Sequence, residues 1–183
     1  MPIGCVTLIP HIGIDLIVRR PRSVLDLGIG HGLYGAVVRN YCGDLDPGTC
    51  RHTRLIGVEG FAVYRGPLWE LYDQVFVADI NHYLTASDDT WDLILLLDVL
   101  EHFDKADGQQ LLATLATRLN RDGCLWVGTP AVWMPQDDAY GNEYERHRSL
   151  WTRAELQALG FEMILDGTLD RHGTQMLLAR MCK

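Results

Sequence analysis

Apolar residues along this chain fall into short dense runs, and between the runs they recur at spacings of three and four. Val24–Leu27, Leu55–Val58, Val75–Ala78 and Cys124–Val127 are bounded by polar or turn-forming residues and read as buried strands. Trp91–Leu97 is apolar at nearly every position, as a central parallel strand covered on both faces should be. Helical spacing fills the gaps. Leu33–Tyr41 turns Val37 and Val38 to one side, and Leu111, Leu112, Leu115, Ala116 and Leu119 form a single stripe. The second of these helices is entered through Asp107-x-x-Gln110, a capping box, and stops at Asn120-Arg121-Asp122-Gly123. A helix over about Val63 to Tyr72 is expected too, its first turn broken by Pro67. Thr152-x-x-Glu155 caps a last helix, with Leu156 and Leu159 inward and Gly160 at its end; Phe161 to Leu165 and Thr174 to Met181 then read as two strands joined by a turn.

Strands alternating with helices predict an α/β domain with a largely parallel sheet, here over residues 23–183. Residues 1–22 hold a loop and one short helix around Ile12 to Val18. They are either a simple lead-in or a lid carrying His11. Gly43 to Thr53 is polar and reads as an exposed loop, whereas 131–150 is long, irregular and crowded with aromatic and charged residues. So long a connection inside a compact domain is usually functional or disordered.

Composition narrows the partners. With 183 residues, 48% hydrophobic content and a mean hydropathy of -0.01, the chain has enough material for one substantial core. A formal charge of -8 argues against a broad nucleic-acid surface, so small molecules or proteins are the expected partners. No apolar run is long enough to span a bilayer, and the first residues lack the basic start and cleavage site of a signal peptide. Five scattered cysteines, without a Cys-x-x-Cys pair, are expected to be free thiols in a reducing compartment, hence a cytoplasmic protein.

The chemistry centres on Asp26-Leu27-Gly28-Ile29-Gly30-His31-Gly32, a strand end running into three alternate glycines and then a helix. Such a turn lets a ligand lie on bare backbone at a helix N-terminus. A dinucleotide site would need its third glycine where Leu33 stands, and the Asp26 carboxylate would repel a phosphate while accepting an ammonium group. An acid also ends the second strand (Glu59, followed by Gly60), the third (Asp79, followed by Ile80) and the fourth (Asp98). Asp98-x-x-Glu101-His102 and His147-x-x-x-Trp151-Thr152 complete the candidates, with Arg146 and Arg148 placed to clamp an anionic group.

This ordered set resembles the class I S-adenosylmethionine-dependent methyltransferases, over roughly residues 20–181. The resemblance implies a Rossmann-like fold: a seven-stranded, mostly parallel sheet with strand seven antiparallel between strands five and six, and helices on both faces. It implies S-adenosylmethionine as cofactor, with Asp26, Gly28, Gly30 and Gly32 at the methionine end, Glu59 and Gly60 at the ribose, Asp79 and Ile80 at the adenine, and Asp98 beside the methyl. The expected reaction is methyl transfer to an O or N atom of a small molecule, with His102 or His147 as base and no metal assigned. Two alternatives stay open. The Asp98, Glu101, His102 and His147 pattern is similar to that of metal-dependent RNA 2′-O-methyltransferases, and in part to quinone O-methyltransferases. A domain that binds the cofactor or S-adenosylhomocysteine without catalysis would keep the glycine turn and need neither histidine.

Overall fold

The computed structural model describes residues 4–45, 52–169, 173 and 175–183, with side chains to residue 167 in the penultimate strand. Most of the loop expected over 43–53, Cys50 included, lies outside the described residues. In chain order the elements are α1 (Ile9–Arg19), β1 (Ser23–Leu27), α2 (Leu33–Tyr41), β2 (Arg54–Glu59), β3 (Gln74–Val77), α3 (Ile80–Ala86), β4 (Trp91–Leu97), α4 (Lys105–Thr117), β5 (Leu119–Pro130), α5 (Arg153–Ala158), β6 (Glu162–Leu169) and β7 (Gln175–Cys182). They form one seven-stranded sheet in the order β3-β2-β1-β4-β5-β7-β6. The first five strands are parallel, and β7 runs antiparallel to both β5 and β6.

Strand β4 shows why its sequence is so uniformly apolar. Leu93, Leu95 and Leu97 face one layer with Val24, Leu55 and Trp126, while Ile94 and Leu96 face the other with Leu25, Val58 and Leu125. Nearly all are 0% exposed. Each such side chain contributes about 1.5–3 kcal/mol by leaving water, so the strand anchors two cores at once. Strand order reverses between β1 and β4, and both run outward to the same edge. That switch point opens a crevice at the carboxyl ends of the strands, which is where this class of sheet binds ligands.

Several expectations are corrected. Val63 to Tyr72 forms two short 3-10 segments, Ala62–Tyr64 and Pro67–Leu71, because Gly66 is extended and Pro67 has no N–H to continue a helix. Helix α4 starts at Lys105 after Asp104, so Asp107 sits inside the first turn instead of capping it; the Thr152–Glu155 box does form. The helix also ends at Thr117, because Leu119 already pairs with Trp91 in the sheet. A further short helix, α3, is opened by Asp79, whose carboxylate accepts the Asn81 and His82 N–H groups. Finally, the five-free-thiol reading fails. Antiparallel pairing sets Cys124 directly opposite Cys182, with Cα atoms 4.1 Å apart, and the two form a disulfide. Cys42 is a free thiol. No helix among the described residues is long and apolar enough to cross a membrane.

Candidate active site

A cavity of about 620 Å³ lies at the outer ends of β1, β2 and β4, within the range of small-ligand sites. Its floor is the turn after β1. Gly28 has a φ of +70°, and a Cβ there would come within 2.4 Å of Val99 Cγ2, so only glycine fits. The Gly28 N–H donates to the Val58 carbonyl at 2.8 Å, and the Gly30 N–H donates to Glu59 Oε2 at 2.8 Å. Glu59 Oε1 accepts the Phe61 N–H at 2.9 Å. The carboxylate thus ties the end of β2 to the glycine turn. Burial pushes the Glu59 carboxyl above its usual range, opposed by these donors.

Gly28, Gly30, Glu59, Gly60, Asp79, Ile80, Asp98, His102 and His147 all line this one cavity. Asp26 and Gly32 do not. Asp26 is 2% exposed beneath Tyr72, whose hydroxyl donates to Asp26 Oδ2 at 2.6 Å. Burial raises the Asp26 carboxyl to about 7; the Tyr72 hydrogen bond works the other way, and the nearby Glu59 charge adds to the rise. Asp98 has a φ of +56°, and its Oδ2 accepts the Cys5 N–H at 2.7 Å. Gly4, Cys5 and Val6 of the lead-in segment thereby become part of the wall, which does not include His11.

The opposite wall carries the histidines. His102 Nδ1 lies 3.2 Å from the Arg146 carbonyl and His147 Nδ1 lies 2.7 Å from the Met134 carbonyl. A carbonyl can only accept, so in neutral His147 Nδ1 carries the proton and Nε2 presents the lone pair, whereas His102 has a second backbone acceptor in the Asp98 carbonyl. The ring centroids are 5.0 Å apart. Burial holds both imidazoles below the ordinary histidine value, and for His147 the neighbouring His102 adds to the effect. Glu101 is 4% exposed, accepts the Thr129 hydroxyl at 3.0 Å, and is pushed by burial up to about 7. Among the described residues, Glu101, His102 and His147 each offer a ligand atom within 4.8 Å of the others, whereas Asp98 is not in that group. One carboxylate and two imidazoles suit a divalent transition metal.

The arginines do other work. Arg148 Nη1 donates to the His102 carbonyl at 2.7 Å, and Arg146 pairs with Asp138 at 2.9 Å, so both brace the 131–150 segment. Tyr64, Gln136, Asn142, Tyr144 and Glu145 also line the cavity and were not singled out as site residues from the sequence. Their signal was the aromatic and acidic crowding of 131–150. Nothing local linked that crowding to Tyr64.

The sheet order, the antiparallel seventh strand and the glycine turn at the β1 switch point define the architecture of class I S-adenosylmethionine-dependent methyltransferases. The methyltransferase domain family matches residues 13–164, and the chain belongs to it. Solved structures agree in fold. A proposed O-methyltransferase from Nostoc punctiforme PCC 73102 superposes with a TM-score of 0.63 at 20% identity, over 97% of this chain and 56% of its own. The 1,6-didemethyltoxoflavin-N1-methyltransferase of Burkholderia thailandensis, solved with its substrate and S-adenosylhomocysteine, gives 0.65 at 19%, over 96% of this chain and 76% of its own. The N-methyltransferase NodS of Bradyrhizobium japonicum WM9 gives 0.62 at 17%, over 97% and 93%. This chain therefore spans little more than half the length of the first of these. No curated protein matches it in sequence.

Proposed function

We propose that this domain transfers a methyl group from S-adenosylmethionine to an O or N atom of a small-molecule acceptor. The observation that carries the reading is the single cavity in which the glycine turn and three strand-end acids face a pair of histidines. S-adenosylmethionine, when bound, supplies an electrophilic methyl on a sulfonium. Glu59 accepts backbone hydrogen bonds from Gly30, Phe61 and Gly60, and its carboxylate would retain lone-pair capacity toward the ribose. Asp79 and Ile80 would border the adenine, and Asp98 the methionine end; Gly28 and Gly30 let the ligand rest on backbone. Asp26 acts one layer down, holding the turn through Tyr72. The imidazoles of His102 and His147 are suited to take a proton from an acceptor hydroxyl or ammonium group. Residues 4–6 close one side, which favours the lid reading of the lead-in segment.

Calorimetric titration with S-adenosylmethionine, S-adenosylhomocysteine and NAD tests this, with Glu59→Ala as the control. Micromolar binding of the first two, lost in the variant, is expected. Binding of NAD alone, or of none, refutes it.

The metal-assisted alternative is favoured by one observation, the convergence of Glu101, His102 and His147. In that reading the three would hold a divalent ion, which would supply Lewis-acid activation of an acceptor hydroxyl. A mass-spectrometric metal count on the purified protein, lost in His147→Ala, is its signature; a metal-free protein that takes up no manganese or zinc on titration rejects it.

A further inference from the structure

The reaction proposed above uses one side chain, His147, from the segment between β5 and α5. The segment's attachment to the rest of the molecule carries more. Asn142 is 2% exposed; its Oδ1 accepts the Tyr144 N–H at 3.0 Å and its Nδ2 donates to the Tyr64 hydroxyl at 3.2 Å. The Tyr64 hydroxyl donates in turn to Glu145 Oε1 at 2.8 Å, and the Gln136 amide donates to the Glu145 carbonyl at 2.6 Å. Tyr64 itself is clamped edge-on between His31 of the glycine turn, 5.3 Å away, and Phe61, 5.0 Å away. The segment is therefore pinned to the cofactor side of the cavity, across 81 residues of sequence.

Between these pins stands Tyr144. Its ring packs on Gly60, the residue after Glu59: a Cβ at Gly60 would come within 2.9 Å of Tyr144 Cε2. Tyr144 lines the cavity together with Glu59, Gly60 and Asp79, and is 43% exposed, so the ring touches backbone without being buried in the core. We propose that Tyr144 is a cofactor-contacting residue, its ring closing over the adenosine half of S-adenosylmethionine from the Gly60 side. The assignment rests on the cofactor reading given above. An aromatic ring is suited to the task because it offers a purine or ribose a large apolar face while losing little rotamer freedom. It also gives one segment two tasks. His147 follows three residues later, with its N–H on the Gln136 carbonyl, so the segment that covers the cofactor also aims the base.

The test is calorimetric titration with S-adenosylhomocysteine of the wild-type chain, Tyr144→Phe, Tyr144→Ala, Gly60→Ala and the Gly60→Ala/Tyr144→Ala pair, each checked for an unchanged melting transition. Tyr144→Phe is expected to bind within twofold of wild type and Tyr144→Ala about tenfold more weakly. Gly60→Ala, which displaces the ring, is expected to weaken binding as well, and to cost less on the Tyr144→Ala background than in the wild type. Wild-type binding that survives Tyr144→Ala within twofold overturns the assignment while leaving the methyltransferase reading intact. An equal loss in Tyr144→Phe overturns it as well, since the hydroxyl and not the ring face would then be responsible. A wild-type chain that binds no S-adenosylhomocysteine sinks the reading on which it rests.

Discussion

The two walls of the cavity are built on different principles. The wall formed by the ends of β1 and β2 is backbone held by backbone: Gly28 donates to Val58, and a single carboxylate, Glu59, gathers the Gly30 and Phe61 N–H groups within its own neighbourhood. The wall formed by residues 134–148 is held by side chains, chiefly Tyr64 to Glu145 and Arg148 to His102, together with the Arg148 and Ser149 N–H groups on the Glu101 carbonyl. The first arrangement follows directly from the sheet and suits a ligand of constant shape. The second depends on polar partners, Tyr64, Asn142 and Glu145, that are themselves buried and lie far apart in the sequence.

The largest expected effect separates the walls by function. His102→Ala and His147→Ala should lower methyl transfer by roughly 10²–10⁴-fold if either ring is the base, while S-adenosylhomocysteine affinity stays within twofold; equal loss of both in calorimetry and turnover would merge the two walls into one. Because both imidazoles are held below the ordinary histidine value, they stay neutral to below pH ~6.5. The acid limb of the pH–rate profile is therefore expected below that pH, with the rate falling as the pH falls through it.

A smaller effect probes the link between the walls. Tyr64→Phe keeps the ring between His31 and Phe61 but strips a donor from the buried Glu145, at a cost of about 1–3 kcal/mol. Thermal melts should show a drop of roughly 2–10 °C, and hydrogen exchange should quicken in 134–147 more than in β1 or β2. Uniform quickening would mean that the segment is not separately held.

A further effect lies under the glycine turn and depends on pH. Asp26 titrates near 7 in the fold against 3.8 when free, so the folded state binds the proton more tightly than the unfolded one. Its contribution is present at acid pH and is lost as the pH rises from about 4 through 7. Asp26→Asn keeps an acceptor for the Tyr72 hydroxyl, removes the buried charge, and is expected to raise the melting temperature at pH 8 and scarcely at pH 4. An equal gain at both pH values would trace the effect to something other than ionisation.

How much of this was legible in the sequence follows the same division. Strand β4 and helix α2 could be bounded to the residue, because burial on two faces and a turn made of glycines are local properties written in consecutive positions. The strand-end acids Glu59, Asp79 and Asp98 reach the cavity for the same reason. What escaped reading depends on partners far away. Tyr72 covers Asp26 from 46 residues on, Tyr64 meets Glu145 at 81, and Cys124 meets Cys182 only because β7 lies antiparallel beside β5. The break in the 63–72 helix was half legible: Pro67 was visible, whereas the extension of Gly66 was not. Helix α3 was missed because Asp79 reads equally well as an adenine ligand and as a helix cap, and the fold uses it at least as a cap.

The position of β7 between β5 and β6 also sets a dependence within the sheet. Among the described residues β6 pairs with β7 and with no other strand, so its place in the sheet rests on the strand that follows it in the chain. A chain interrupted after residue 169 would forfeit two strands where it had been cut by one. The first five strands, each laid beside an earlier one, have no such dependence. The outer edge of the sheet is joined to them through β7 alone, and there the join is covalent as well, through the disulfide between β5 and β7.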